Sequence, residues 1–404
     1  MGRWGGYGRG MRALTWQGLE KVVVKDVPDP TLQRPTDAIV RVTSTAICGS
    51  DLHLYGVLAP YLHADDVLGH EFMGIVEQVG SAVENLSVGD RVVVPFTISC
   101  GHCFACSKGL YAQCDTTRDH EQDNGAALFG YTSLYGSVPG GQAELVRVPH
   151  ADFGPLKLPH ELPDERFLYL SDILPTAWQG VQWAATPDGG TLAVLGLGPV
   201  GQLAIRSAQR QGVKRILAVD LVDERLALAK ASGAETVDVR EVDDVAQALR
   251  DLTNGHGPES VVDAVGMEAH GNPVAEKVIG ATTRLPKPLA RKAIETVGID
   301  RLDALHTAID AVQRGGTVSL SGVYGGMASP MPLMQMFDKG ITMRMGQCHV
   351  KQWTDELLDI ALEDGDPMGL ETLATHHVPL DEAADAYRMF QQKDDGCLKV
   401  VLKP

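Results

Sequence analysis

Between Met11 and Val94 the apolar positions come in short, Val- and Ile-rich runs cut by turn residues. The runs are Lys21–Val24, Ala38–Ser44, Gly74–Val79 and Arg91–Val94, with Pro28–Pro30 and Val88–Asp90 as punctuation. No helical period of useful length appears there, so the tract is predicted as an antiparallel, β-rich and partly barrel-like domain. Gly125–Val148 returns to Gly-punctuated strands. Leu170–Gly180 then opens the first predicted helix and sets Asp172 at a strand-to-helix transition. From Thr191 onward the pattern changes to alternation. Thr191–Leu195 reads as an apolar strand, Gln202–Gly212 as a helix and Arg215–Val219 as a strand. The alternation continues through Asp223–Ala234, Thr236–Val239, Val242–Asn254, Ser260–Val265 and Thr317–Val323. Such an order predicts a doubly wound parallel sheet, and the fold class is therefore α/β with two unlike domains. The tail, Thr354–Asp364 and Leu380–Leu402, reads helix, helix, strand and is expected to return to the first domain. Boundaries are expected at 11–182, with a lobe at 97–117, then 183–343 and 344–404.

A chain of 404 residues is long for one core and suits this two-domain reading. Its net charge of −17 argues against nucleic acid or an anionic membrane as a partner. No apolar run approaches the roughly 20 residues a membrane helix needs. Residues 1–10, MGRWGGYGRG, lack an apolar core and read as a disordered leader rather than a secretory signal. Seven cysteines, five of them in metal-like positions, suit a reducing cytoplasm better than a disulfide scaffold.

The first chemistry lies between Cys48 and Glu71. Cys48 and His70 each sit in a Gly-flanked turn, and thiolate and imidazole are ligands that Zn²⁺ prefers. Ser50 and His53 beside the cysteine add a hydroxyl and a titratable ring, the parts of a proton relay. The bland alternative is a buried thiol and a satisfied core histidine. Asp172, at its transition, stands where a third ligand would be expected. Cys100, Cys103, Cys106 and Cys114 follow at spacings C-x2-C-x2-C-x7-C, which can wrap one tetrahedral zinc with no open position. An iron–sulfur cluster is the rival, but the C-x3-C-P continuation of bacterial ferredoxins is absent. His102 inside this cluster reads as a loop residue.

The second chemistry is G-x-G-x-x-G: Gly196, Gly198, Pro199, Val200 and Gly201 close the Thr191–Leu195 strand and open a helix. Glycines there allow a tight turn and close approach of pyrophosphate to the helix N-terminus. Asp220 ends the next strand, where an acid would bind the ribose hydroxyls of NAD, and Arg225 follows it. This context predicts a Rossmann dinucleotide-binding domain.

Cys48–His53, Gly69–Gly74, the cysteine lobe, Gly196–Gly201 and Asp220, all in order, resemble the zinc-containing medium-chain alcohol dehydrogenase family over nearly the whole chain from Met11. Ser171–Thr176 and the long tract before Gly315 resemble its formaldehyde dehydrogenase branch. The resemblance implies Cys48, His70 and Asp172 as ligands of a catalytic zinc, and the four lobe cysteines as ligands of a structural one. Many members have a second Cys where this chain has Asp172, so the site should favour harder donors. It also implies NAD as cofactor, hydride transfer from a small alcohol or hydrated aldehyde, and Ser50 and His53 as the proton path. Glu71 matches an acid that approaches the zinc, or else is tied to a nearby cation. Phe96 matches a substrate-pocket position and Thr176 a nicotinamide contact, with plain packing as the alternative for each. Lys399 sits where a cation often faces pyrophosphate, or is an exposed strand lysine. Gly49 replaces an arginine that some members use for pyrophosphate. His53 is not typical of the glutathione-dependent branch, and no basic patch suits a glutathione carboxylate. Cys348, His349 and Cys397 read as packing, and His376 with His377 as a surface pair.

Two further readings stay open. One is an aldehyde dismutase with retained NAD, the other a non-catalytic cofactor-binding protein that keeps the fold. The family also implies a homo-oligomer, tetramer or dimer. Finally, Met267–Gly316 is far longer than the dozen or so residues a crossover needs. Its second half, from Leu289 through Val312, reads as a helix. Its first half reads as excess loop, Glu276–Arg301 is locally basic, and the loop is expected to cover the cofactor, with a solvated surface loop as the alternative.

Overall fold

A computed structural model describes residues 10–122, 124–266, 302–324 and 331–404. The expected leader, apart from Gly10, and the part of the long insertion at 267–301 lie outside the described residues. The chain divides into two compact units: one runs to Ser171 and takes up Ala374–Pro404, and the other is Asp172–Leu373. These boundaries differ from 182/183 and 343/344 because the helix after Asp172 and the segment 344–373 pack with the parallel sheet's unit.

The first unit begins with a hairpin, β1 (Met11–Gly18) and β2 (Lys21–Val27), paired antiparallel. It continues with β3 (Ala38–Ile47), helix α1 (Gly49–Tyr55), β4 (Glu71–Val79), β5 (Arg91–Val94), β6 (Leu145–Val148), β7 (Leu156–Lys157) and the short helix α2 (Glu165–Leu168). The second unit holds helix α3 (Ile173–Ala184), β8 (Thr191–Leu195), α4 (Pro199–Arg210), β9 (Arg215–Asp220), α5 (Asp223–Ala231), β10 (Glu235–Asp238), α6 (Val245–Asp251) and β11 (Ser260–Asp263). After residues 267–301 come α7 (Asp303–Ala311), β12 (Thr317–Leu320), α8 (Leu333–Lys339), β13 (Thr342–Met345) and α9 (Val350–Leu362). The chain then returns to the first unit as β14 (His376–Pro379), α10 (Ala383–Gln392) and β15 (Val400–Lys403).

The first unit's large sheet has the order β14-β15-β3-β4-β5-β7, with β6 also paired to β3. Its inner face is a core of Val40, Val42, Phe72, Val76, Val92, Val94, Phe129 and Val146. Phe72 and Phe129 meet edge to face at 5.1 Å. Only the end of the tail enters this sheet: β15 runs antiparallel to β3, with Val400 opposite Ile47, whereas Thr354–Asp364 belongs to the other unit. That pairing sets Lys399 level with the end of β3. The second unit's sheet is wholly parallel, in the order β10-β9-β8-β11-β12-β13. Ligands of such sheets bind where the strand order reverses, here outside the carboxyl ends of β8 and β11. Both strands are buried throughout, as continuous apolar runs in a covered sheet should be.

Two local expectations are corrected. The tract read as helix-free contains α1, directly after Cys48. Cys48 N–H donates to Asp51 Oδ2 at 2.9 Å, so a carboxylate three residues into the helix satisfies a terminal amide. Asp172 is approached not from a strand but from α2 and a 3₁₀ turn at Tyr169–Ser171. The helical half of the insertion is present among the described residues only as α7, whose Leu305 and Ile309 are buried with Val312.

Candidate catalytic and cofactor sites

The β3–β4 register builds the first site. Ala46 pairs with Glu71 across the two strands, so Cys48, just past β3, and His70, just before β4, come together at one end of the ladder. Gly69 makes the tight approach possible with φ of +96°, and a Cβ there would lie 2.3 Å from Gln142. Donor atoms of Cys48, His70 and Glu71 lie within 4.8 Å of one another, and all three residues are buried.

Both ring nitrogens of His70 face polar side chains. Its Nδ1 lies 3.1 Å from Asp51 Oδ1, and its Nε2 lies 3.2 Å from Ser50 Oγ. A carboxylate facing one nitrogen fixes the proton there and leaves the other nitrogen as a metal donor, the usual support of a ligating histidine. Asp51 is fully buried. Sequence reasoning missed it, although its spacing of three from Cys48, that of a capping carboxylate, was there to be read. Ser50 and His53 sit three apart on α1, hence on one helix face. Phe96 meets the His70 ring edge-on at 6.0 Å, and so does Tyr131 at 6.4 Å, a wall residue that sequence reasoning did not pick out. Burial pushes the Tyr131 pKa up, so it is a neutral phenol.

Glu71 and Lys399 are a fully buried ion pair at 2.6 Å, and the same ammonium donates to Ile47 O at 2.9 Å. Lys399 is therefore the counter-ion of Glu71. It is not an exposed strand lysine. In the second unit, Thr176 Oγ1 donates to Asp172 Oδ1 at 2.8 Å, so the residue expected at the nicotinamide orients this carboxylate. Cys348 is buried, and its pKa is pushed up by burial first and then by the charge of Asp172.

The cysteine lobe fits a single ion. Cys100, Cys103, Cys106 and Cys114 place their sulfurs within 4.8 Å of one another, with Cys103 Sγ and Cys114 Sγ 3.8 Å apart. A tetrahedron with metal–sulfur bonds of about 2.3 Å has edges of about 3.8 Å. This leaves room for one ion, not for a cluster in which each thiolate binds its own iron. Amides of Cys103, Cys106 and Cys100 donate to the sulfurs of Cys100, Cys103 and Cys114 at 3.4–3.5 Å, and Thr116 Oγ1 to Cys100 Sγ at 3.1 Å. Although burial works against the Cys103 thiolate, hydrogen bonds led by the Cys106 amide pull its pKa down to about 6. Among the described residues, His102 bonds its own loop, through Cys100 O at 2.9 Å, as a loop residue should.

The glycine loop after β8 fits a dinucleotide phosphate. Gly196 has φ of +83°, and a Cβ on Gly201 would lie 1.9 Å from Gly196 O, so α4 packs directly on the turn. Gly198 caps α4, and the nearest atom to a Cβ there is Arg225 Nη1 at 3.8 Å. Among the described residues no atom requires glycine at that position, which leaves room in front of the helix N-terminus for an anion. Asp220 Oδ2 accepts from Leu197 N–H at 2.6 Å, and its Oδ1 accepts from Leu221 and Val222 at 2.6 and 3.0 Å. The carboxylate thus ties the loop to the end of β9, with Arg225 Nη1 4.0 Å away.

Comparisons with known proteins agree with this geometry. Residues 34–159 match the family model for the alcohol dehydrogenase GroES-like domain, and residues 199–276 that for zinc-binding dehydrogenases. A zinc-type alcohol dehydrogenase-like protein of Bacillus subtilis is 40% identical over 98% of this chain and 100% of its own length. The glutathione-independent formaldehyde dehydrogenase of Pseudomonas aeruginosa is 33% identical over 94% of this chain and 95% of its own. Among solved structures, alcohol dehydrogenase TADH from Thermus sp. ATN1 superposes with a TM-score of 0.80 at 36% identity, covering 97% of this chain and 99% of that one. With a buried thiol–imidazole pair, a four-thiolate lobe and a dinucleotide loop on one chain, these matches make it a member of the zinc-containing medium-chain alcohol dehydrogenase family.

Proposed function

We propose that the chain oxidises a small alcohol or a hydrated, formaldehyde-like aldehyde with NAD. Cys48 and His70 would hold a zinc ion, and Asp172 would be its third ligand. Asp172 follows Ser171, whose carbonyl accepts from Phe96 N–H at 2.9 Å. Chain continuity therefore keeps its Cα about 3.8 Å from an anchored point. A zinc ion held there would supply Lewis-acid polarisation of the substrate oxygen, and bound NAD would supply the hydride acceptor.

The chain's own residues do the rest. Ser50 Oγ, 3.2 Å from His70 Nε2, would take the substrate hydroxyl proton as it releases its own towards His53 on the same face of α1, which would pass it to solvent. Phe96 and Tyr131 flank His70 and exclude water from the reacting oxygen. The α4 amides behind Gly198 cradle pyrophosphate, and the charge of Asp220 favours a ribose hydroxyl over a phosphate. The observation that carries this reading is the Ser50 hydroxyl placed against the imidazole that stands beside the Cys48 thiol. The relative's name, glutathione-independent formaldehyde dehydrogenase, supports the substrate class. Seven free thiols support a cytoplasmic placement, and no helix of the described residues is long and apolar enough to cross a membrane.

A homo-oligomer is supported by the edge strand β13, where Met345 is 59% exposed, and by α8 before it, where Phe337 is 83% exposed. The test of activity is a panel of primary alcohols, secondary alcohols and aldehydes with NAD or NADP, with and without glutathione. NADH formation from a small alcohol or aldehyde hydrate without glutathione is the expected result. Alcohol and acid formed together from aldehyde, with no net NADH, would favour the dismutase. No turnover with any substrate would favour a non-catalytic role.

A further inference from the structure

Beyond the residues that face substrate or cofactor, the first unit holds an uninterrupted line of buried polar groups ending at His70. Tyr387, on α10 near the end of the chain, donates its hydroxyl to Gln142 Oε1 at 2.8 Å. Gln142 Nε2 donates to Ala46 O at 3.0 Å and to Asp51 Oδ2 at 3.3 Å. Asp51 Oδ2 also accepts from Cys48 N–H, and Asp51 Oδ1 faces His70 Nδ1 at 3.1 Å. Tyr387, Gln142 and Asp51 are each completely buried. We propose that Tyr387 and Gln142 are positioning residues that act through Asp51 to set the tautomer and hold of His70 on its zinc.

The argument is one of donors and acceptors. Ala46 O and the Asp51 carboxylate can only accept, so the Gln142 amide nitrogen must face them and its oxygen must face Tyr387. The phenol then has to donate, because an amide oxygen offers nothing in return. Tyr387 keeps its proton for this, since burial and then the charge of Asp51 push its pKa well above the ordinary value. Asp51 Oδ2 is taken up by the Cys48 and Gln142 donors, and an acceptor oxygen facing His70 Nδ1 calls for the ring proton there. His70 Nε2 is left with its lone pair for the metal. Loss of the phenol hydroxyl leaves Gln142 Oε1 buried without its donor and loosens the amide whose nitrogen bonds Asp51. Buried hydrogen-bond partners of a ligating histidine commonly change metal affinity about 10- to 100-fold.

The inference rests on zinc binding by Cys48 and His70 as proposed above, and the test separates the two. Zinc affinity of the full chain is measured by competition with a chelator while the lobe ion is retained. A wild-type chain that binds only the lobe ion defeats the underlying ligation. Given two ions, Tyr387→Phe should weaken the catalytic ion about tenfold. Adding Tyr387→Phe to Gln142→Met should cost nothing more, because the line is already cut. An affinity within twofold of wild type for Tyr387→Phe, or effects that multiply in the double variant, would overturn the proposal. Should Gln142→Met not fold, the ¹⁵N imidazole shifts of His70 in the metal-free chain decide instead. Wild type should show a single Nδ1-protonated tautomer and Tyr387→Phe a mixture; identical spectra would overturn it.

Discussion

Lys399 and Glu71 show why single residues are the hardest scale to read. Their types and positions were visible, but their partnership depends on β15 lying beside β3, 352 residues apart in the chain for the Lys399–Ile47 bond. Both side chains are completely buried, so removing one leaves an uncompensated charge. Lys399→Ala should destabilise the chain by about 3–5 kcal/mol, whereas the double change with Glu71→Gln should recover most of that. Denaturant unfolding of the three variants measures it, and a single variant within about 1 kcal/mol of wild type would refute a buried pair. At the cofactor end, Arg225 lies 4.0 Å from Asp220 and offsets part of its charge. NAD should exceed NADP at least tenfold in kcat/KM, a difference of only ~1.4 kcal/mol, and Arg225→Ala should widen the gap. Equal rates with the two cofactors at limiting concentration would remove Asp220 from its expected role.

Among elements, long periodic ones were legible and short ones were not. The glycine loop between β8 and α4, and the strand–helix alternation around it, are written in local pattern. Helix α1 was missed because its seven residues carry no full apolar period and its cap is a cysteine with Asp51. Strand β13 was missed because its residues are mostly exposed and do not alternate cleanly. Asp164, at the head of α2, joins several elements at once. It accepts from Arg91 of β5 at 2.6 Å and from Ser44 of β3 at 2.5 Å, with Lys403 of β15 3.9 Å away. Burial pushes its pKa up, but these hydrogen bonds and one from Thr43 outweigh that and hold it below the usual carboxylate range. A depressed folded pKa means stability present above the unfolded value of about 3.9 and lost as pH falls through the folded one. Acid titration of the unfolding midpoint should therefore steepen below about pH 4, and Asp164→Asn should flatten that limb. An unchanged limb in the variant would assign the acid sensitivity elsewhere. The cysteine lobe is an element of a different kind, with four sulfurs placed around room for one ion. Cys103→Ser should release one zinc and lower the melting temperature, because a structural site contributes folding energy directly.

At the scale of the whole molecule, the order of parts was the readable quantity. Two unlike units, a tail that returns to the first sheet, and a 3-2-1-4-5-6 parallel sheet follow from the succession of patterns. Boundaries were not, because the helix after Asp172 continues the chain without a break in composition while packing with the other unit's sheet. This architecture is proposed to carry two zinc ions of different purpose, one in the lobe and one on Cys48, His70 and Asp172. Zinc content per chain, measured for wild type and Asp172→Ala alongside their melting temperatures, tests it most directly. The account predicts two ions in wild type and one in the variant, with turnover abolished and the melting temperature nearly unchanged. One ion in wild type, or two in a variant that retains full activity, would contradict it.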